Sequence, residues 1–207
     1  MAVAGDMDAP SVIDTLREVV PGASLEALPS VDMPAVGVDR DHLLPVCQAL
    51  RDHAALQFVL LADVTAVDRL PAEPRFEVVY HLACLGPTYA QRGGPAPPRR
   101  LRLKVRVTAG DGWVPSLVPI WPTANWPERE VYDLYGLTFD GHPDLRRVLM
   151  PDDWQGHPLR KDYPVQIRKD TASWSPLQLS VEEFAENMRR RREESARLAG
   201  GDRHGDG

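Results

Sequence analysis

The sequence has only two cysteines, Cys47 and Cys84, among its 207 residues. They are far apart and form no CxxC motif, whereas an iron–sulfur cluster normally needs four ligands, most of them cysteines. The chain alone therefore cannot hold such a cluster. We expect both thiols to be ordinary buried side chains, and a disulfide is not expected in the cytoplasm.

Long apolar runs are missing as well. The longest apolar stretch near the middle, 58–62, ends at Asp63 and is much shorter than the roughly 20 residues that span a bilayer. The N-terminus, 1–10, has neither the basic nor the apolar region of a secretory signal. The net charge of −6 also lacks the basic excess of nucleic-acid-binding proteins. These absences predict a cytoplasmic protein without a membrane span.

The residues that are present predict a folded α/β (α+β) domain. Hydrophobic residues make up 43% and charged residues 26% of the chain, which is typical of globular proteins. Apolar spacing predicts helices over 11–20, with Ser11 as the N-cap, and over 43–50. A short strand is predicted at 35–38, and three longer strands at 58–64, 76–84 and 101–107 are expected to form an antiparallel sheet with one solvent-exposed face.

A third helix and an irregular arm follow. The helix is predicted from Asn125, the expected N-cap, to Gly136, a left-handed C-cap, and Arg129 can pair with Asp133 inside it. From 137 to 170 the prolines recur and the apolar residues are isolated, so neither helix nor strand is predicted. A segment of this length, rich in charges and aromatic residues, is typical of an extended arm that lies on another protein.

The end of the chain predicts a polar helix. Ser180 and Glu183 form a capping box, and the four arginines at 189–192 have acidic neighbours, which favours a solvated or partner-binding face over a nucleic-acid site. We therefore divide the chain into an α/β core domain at 1–125, the third helix with the partner-wrapping arm at 126–164, and a partly mobile tail with the polar helix at 165–207.

Two sets of residues suggest chemistry of their own. A stand-alone hydrolase would use Glu130, Asp133 and His142 for acid–base catalysis, but nothing nearby completes a catalytic site. Two Gly-His-Pro triplets, containing His142 and His157, have carboxylates beside them that suit a metal. Because the arm has no regular element to fix ligand positions, hydrogen-bonding histidines in turns are the preferred interpretation. No GxGxxG, P-loop or nucleophile-elbow motif occurs.

The segments 128–147, EREVYDLYGLTFDGHPDLRR, and 151–164, PDDWQGHPLRKDYP, closely resemble the signature of the thirty-kilodalton subunit of respiratory complex I, also called its C-subunit. The resemblance implies a structural, non-catalytic subunit of a proton-translocating NADH-quinone oxidoreductase, with FMN, iron–sulfur clusters and quinone held by other subunits. It implies docking on the hydrogenase-like large subunit, the D-subunit, near the quinone-reducing region. The expected location is peripheral, on the cytoplasmic side of the inner membrane.

The resemblance also implies which side chains face the partner. The third helix is expected to anchor through Val131, Leu134 and Tyr135, with Trp154 and Tyr163 as aromatic anchors and the arginines paired across the interface. No catalytic, cofactor-binding or metal-binding residue is predicted. The predicted interface residues are Glu128, Arg129, Glu130, Tyr132, Asp133, Tyr135, His142, Asp144, Arg146, Arg147, Asp152, Trp154, His157, Arg160, Lys161, Asp162 and Tyr163.

Two alternatives stay open. Related subunits occur in membrane-bound hydrogenase, formate hydrogenlyase and ferredoxin-type dehydrogenase complexes, and the chain could be the equivalent subunit of one of these. The other alternative is the carboxylate-based hydrolase. Because no hydrogenase-like sequence follows the arm, we expect the form that is not fused to the hydrogenase-like large subunit.

Overall fold

A computed structural model describes residues 8–86 and 98–164, together with Glu186 and Arg189. Described residues up to Pro164 belong to one compact unit, and in the second unit, 165–207, Glu186 and Arg189 form an ion pair. The predicted capping box at Ser180 lies outside the described residues. The helices are α1 (Ala9–Val19), α2 (Leu43–Asp52) and α3 (Asn125–Tyr135); the strands are β1 (Leu25–Leu28), β2 (Ala35–Val38), β3 (Leu60–Asp68), β4 (Phe76–Cys84), β5 (Arg99–Val107), β6 (Trp113–Pro115) and β7 (Thr138–Asp140).

Five strands form the main sheet in the order β1-β2-β5-β4-β3. The predicted antiparallel arrangement of β3, β4 and β5 is confirmed, with Val78 opposite Ala66 on one side and Val105 on the other. β2 pairs with β5 in parallel, and β1 pairs with β2 in antiparallel at the edge. The sequence analysis missed β1, whose four residues include no β-branched or aromatic side chain, whereas the equally short β2 has two valines. The expected α+β class is confirmed.

Alternate side chains of the sheet and one face of each helix build the core. The apolar residues of β5, which alternate along the strand, are buried, as are Phe76, Val78, Tyr80 and Leu82 of β4. Both Cys47 and Cys84 are buried as expected. On the opposite face of β5, the side chains of Arg102, Lys104 and Arg106 are at least partly exposed, so this face is wet, as predicted.

Two predicted helix starts are corrected by the structure. α1 begins at Ala9 and its N-cap is Asp8, whose carboxylate accepts from the Ser11 N–H at 3.0 Å. The helix starts before Ser11 because proline is tolerated in a first turn. Asn125 is the first residue of α3 rather than its cap, since a short 3₁₀ turn leads directly into the helix.

The stretch after α3 contains a strand that the sequence analysis did not predict. β7 pairs in parallel with β6, with Phe139 opposite Val114, and forms a second, two-stranded sheet. Three residues cannot show strand periodicity, which explains the wrong prediction. Gly136 ends α3 with φ of 70°, so the predicted left-handed C-cap is confirmed.

Candidate docking site on the third helix and the arm

The arm, defined here as residues 141–164, is fixed to α3 by Asp133. One oxygen of this buried carboxylate accepts backbone N–H groups of Val148, Leu149 and Met150 at 3.0, 2.8 and 2.9 Å. The other accepts from Arg147 at 2.6 Å. Burial by itself would raise the pKa of Asp133, but these four donors hold the pKa below its usual value. Asp133 is therefore ionised and holds the arm in one conformation.

Arg147 extends this attachment to the next turn of the arm. Its second terminal nitrogen donates to the carbonyl oxygens of Trp154 and Gly156, at 3.0 and 3.1 Å. A planar guanidinium suits this task because its donors form a fixed fork. One side chain thus joins α3 to two separate parts of the arm.

The predicted ion pair between Arg129 and Asp133 is absent from this part of the structure, because both residues point to the arm instead. Arg129 donates to the carbonyl oxygen of Arg146 at 3.2 Å and lies 3.9 Å from Asp144. Its guanidinium also stacks on the ring of Trp126, 4.7 Å from the centroid. The i,i+4 spacing permits a helix pair, but the tertiary contacts with the arm prevail here.

The arm also caps the C-terminal end of α3. The last carbonyl oxygens of a helix have no partner within it. Here the His157 ring nitrogen lies 2.9 Å from the Asp133 carbonyl, and the Leu159 N–H donates to the Leu134 carbonyl at 3.0 Å. The Arg160 guanidinium donates to the next carbonyls, those of 135 and 136. The second Gly-His-Pro triplet is therefore part of a helix cap.

The end of the arm is attached to the main sheet through Arg75, a residue that the sequence analysis missed. Arg75 is buried and bonds to Asp68 at 2.7 Å and to Asp162 at 2.7 Å. Asp68 also accepts the backbone N–H of Lys161 at 2.8 Å. The hydrogen bonds from Arg75 lower the pKa of Asp68. The sequence offered one signal for this contact: Asp68 places a charge at the end of a strand, where a partner of opposite charge is needed.

Glu128 and His142 lie beneath the start of the arm. Glu128 is buried and accepts from the Ser116 hydroxyl and the Leu117 N–H, both at 2.7 Å, and burial raises its pKa to about 7. One ring nitrogen of His142 accepts from the Asp144 N–H at 3.0 Å. The other must then carry the proton and donates to the Asn125 carbonyl at 3.1 Å.

These contacts leave little for acid–base catalysis. Among the described residues, Asp133 and His142 bond to other groups and not to each other, and Glu130 is exposed on α3. In the same part of the chain, no group of three or more His, Cys, Asp or Glu side chains is arranged to hold a metal ion. No helix among the residues described is long and apolar enough to cross a membrane.

The predicted interface residues divide into two groups. Glu128, Arg129 and Asp133 are buried and bond within the chain, and the His142 side chain is buried beside Glu128. Val131, predicted as an anchor, is only 2% exposed and packs in the core. In this conformation these side chains do not reach a partner. The remaining predicted residues are at least partly accessible: Glu130, Tyr132, Tyr135, Asp144, Arg146, Arg147, Asp152, Trp154, His157, Arg160, Lys161, Asp162 and Tyr163.

Three large apolar side chains on α3 and the arm are exposed instead. Trp126 is 67%, Leu149 61% and Leu159 50% exposed. The sequence analysis did not single them out. Leu149 and Leu159 are isolated apolar residues in an irregular segment, which shows no period. Large exposed apolar side chains on otherwise well-ordered elements are typical of a protein–protein contact.

The stretch of sequence that contains α3 and the arm is also found in known proteins. The model of the family described as respiratory-chain NADH dehydrogenase, 30 Kd subunit, matches residues 36–169. The chain belongs to this family. The expected resemblance is thereby confirmed. The matched range includes α3 and the whole arm.

Curated members of the 30 Kd subunit family include the C-subunit of NADH-quinone oxidoreductase from Saccharopolyspora erythraea. It is 52% identical over 129 residues, which are 62% of this chain and 48% of that protein. The C-subunit from Roseiflexus castenholzii is 42% identical over 159 residues, which are 77% of this chain and 86% of that protein. The chain thus spans about half the length of the first relative and most of the second.

Solved structures show the same fold. A trypsin-resistant fragment (1-134) of Nqo5 has a TM-score of 0.51 and 32% identity, over 67% of this chain and 100% of that one. A chain of the membrane-bound sulfane sulfur reductase, an archaeal respiratory membrane complex, has a TM-score of 0.58 and 23% identity, over 75% of this chain and 85% of that one. The second likeness shows the fold alone.

Proposed function

We propose that the chain is a subunit of an NADH-quinone oxidoreductase that docks on a neighbouring subunit through α3 and the arm and holds no redox centre itself. One observation carries this proposal. Buried charges fix the arm on α3, while Trp126, Leu149 and Leu159 on the same elements remain exposed. The family to which the chain belongs supports the choice of complex.

The internal contacts of the arm favour a structural role over a chemical one. Asp133, Arg147 and Arg75 use their hydrogen bonds to hold the arm. A segment that is already ordered loses less conformational entropy on binding than a mobile one, so its affinity for a partner is higher. The arm thereby presents a preformed surface to its neighbour.

The finer parts of the proposal rest on the resemblance of 128–164 to the thirty-kilodalton subunits. The partner is then the hydrogenase-like large subunit, near the quinone-reducing region. FMN, iron–sulfur clusters and quinone belong to other subunits, and the chain is attached peripherally to the cytoplasmic side of the inner membrane through the complex. The isolated chain has no turnover of its own.

The role of the exposed apolar residues is tested by replacing Trp126 and Leu149 together with serine. We expect recovery of partner subunits from native membranes with the tagged chain to fall about tenfold or more, because buried aromatic anchors dominate interface energies. The matched control is Val31→Ser, which removes a fully exposed apolar side chain from the loop between β1 and β2.

The outcomes of this comparison separate the proposals. Equal partner recovery for the double variant and the control contradicts docking through α3 and the arm. Partners of a hydrogenase type, without NADH-dependent quinone reduction, support membership of a related complex instead. In a separate assay of the isolated chain, turnover of a small substrate would support the hydrolase alternative.

A further inference from the structure

The accessible surface of the segment 125–164, which contains α3, β7 and the arm, is acidic. Only two cationic side chains of this segment, Arg146 and Lys161, are exposed, whereas six carboxylates are. The less exposed charges do not offset this excess, because the whole segment has eight carboxylates and five cationic side chains. The six exposed carboxylates are those of Glu130, Asp140, Asp144, Asp152, Asp153 and Asp162. Asp144 pairs with Arg146 and Asp162 with Arg75, which leaves four of them, including Glu130 and Asp152, for a partner.

The other arginines of this segment are turned towards the chain itself. Arg147 bonds to Asp133 and to two carbonyl oxygens of the arm. Arg129 donates to carbonyl oxygens of the arm, and Arg160 donates to carbonyl oxygens at the end of α3. Each guanidinium has several acceptors inside the chain, so pairing with a partner would require breaking these contacts. For these three arginines the expected pairing across the interface does not suit this geometry, whereas Arg146 is exposed.

Two carboxylates lie in the neighbourhood of Trp126, the most exposed aromatic side chain among the described residues. Glu130 follows it by one helical turn, so both side chains lie on the same side of α3. Arg129 stacks on the Trp126 ring and lies 3.9 Å from Asp144, which brings that carboxylate to the same place. The indole is therefore an apolar anchor that contacts the Arg129 guanidinium, with the carboxylates of Glu130 and Asp144 in the same part of the surface.

We infer that the partner surface that receives α3 and the arm is basic and has an apolar depression for Trp126. This inference rests on the proposed function and specifies the chemistry of the partner. A neutral or acidic surface would remove water from the carboxylates without supplying a counter-charge, and like charges oppose association. Lysines and arginines of the partner, placed opposite Glu130 and Asp152, satisfy this requirement.

The first test is charge reversal in the complete complex. The double variant Glu130→Lys with Asp152→Lys is compared with Glu18→Lys, which reverses an exposed carboxylate on α1. We expect the double variant to recover about tenfold less partner at low salt, with a partial gain as NaCl rises from about 0.05 M to about 0.5 M, because salt screens repulsion. Wild type and Glu18→Lys are expected to recover less partner as NaCl rises over the same range, because salt also screens the attraction between opposite charges.

The second test needs no variant and so does not depend on its folding. A zero-length carbodiimide joins a lysine amine to a carboxylate only where the two are in contact. In the purified wild-type complex we expect cross-linked peptides between partner lysines and Glu130, Asp152 or Asp153. Cross-links from these carboxylates to the chain's own lysines alone would overturn the inference.

The two proposals fail in different ways. If wild type recovers no partner, the proposed function is wrong. If wild type recovers its partner and the Trp126 and Leu149 double variant does not, while charge reversal leaves recovery unchanged or raises it, docking at this site holds and the basic character of the partner is wrong.

Discussion

Replacing Asp133 with asparagine tests the attachment of the arm most sharply. The carboxylate uses one oxygen for three backbone N–H groups and the other for Arg147. An asparagine has a single acceptor oxygen, so its amide nitrogen must point either at those backbone donors or at the guanidinium. Each orientation removes at least one charge-assisted hydrogen bond and leaves buried donors without an acceptor.

The expected size follows from these contacts. Loss of a hydrogen bond to a charged group costs about 1.5–3 kcal/mol, and an unsatisfied buried donor costs about 1–3 kcal/mol. We expect the closed arm to be destabilised by about 3 kcal/mol, which is about a hundredfold in its opening equilibrium. Amide hydrogen exchange measures this directly, because the N–H groups of 148–150 exchange only when they leave Asp133.

The matched control is Asp144→Asn, the same substitution on the same arm. Asp144 pairs with Arg146, and the Asp144 side chain is half-exposed and that of Arg146 largely exposed, so we expect a change of about 0.5 kcal/mol or less. Exchange at 148–150 that is unchanged in Asp133→Asn, or equally faster in both variants, would refute the role assigned to Asp133.

Three further substitutions follow from the same contacts. Gly136→Ala places a Cβ against the His157 ring at a φ of 70°, whereas Gly141→Ala has a similar φ and open space around the Cβ. Thermal unfolding should show a loss of stability of about 1 kcal/mol for Gly141→Ala and several times more for Gly136→Ala. Arg75→Met leaves Asp68 buried without its partner, so urea unfolding should show a loss of about 3 kcal/mol or more. Glu128→Gln should remove a pH dependence of the free energy of unfolding. Because the folded pKa of about 7 exceeds the unfolded value of 4.5, wild type loses stability as pH rises between these values and the variant does not. The difference is roughly 3 kcal/mol at most.

Long periodic elements were predictable from the sequence. The alternation along β5 and the helical spacing of α2 arise from burial on one side, which the sequence records directly. Gly136 marked the end of α3 because few other residues adopt a left-handed conformation. The three-residue β7 left no comparable pattern.

Contacts distant in sequence could not be predicted in the same way. The i,i+4 rule suggested that Asp133 pairs with Arg129, but the arm brings Arg147 and three backbone N–H groups to that carboxylate. Arg75 and Asp162 are 87 positions apart and meet only in the folded chain. The inward direction of Arg129, Arg147 and Arg160 depends on the carbonyl and carboxylate groups that the fold brings near them. The charge of the proposed docking surface could therefore be read only from the structure.

Purification of the tagged chain from its native membranes in mild detergent tests the central claim most directly. Mass spectrometry identifies the partners, and the eluate is assayed for NADH-dependent quinone reduction. We predict recovery of the hydrogenase-like large subunit together with the flavin and cluster subunits, and activity in the eluate. A chain that elutes alone, or with hydrogenase partners and no NADH-dependent activity, would contradict the assignment.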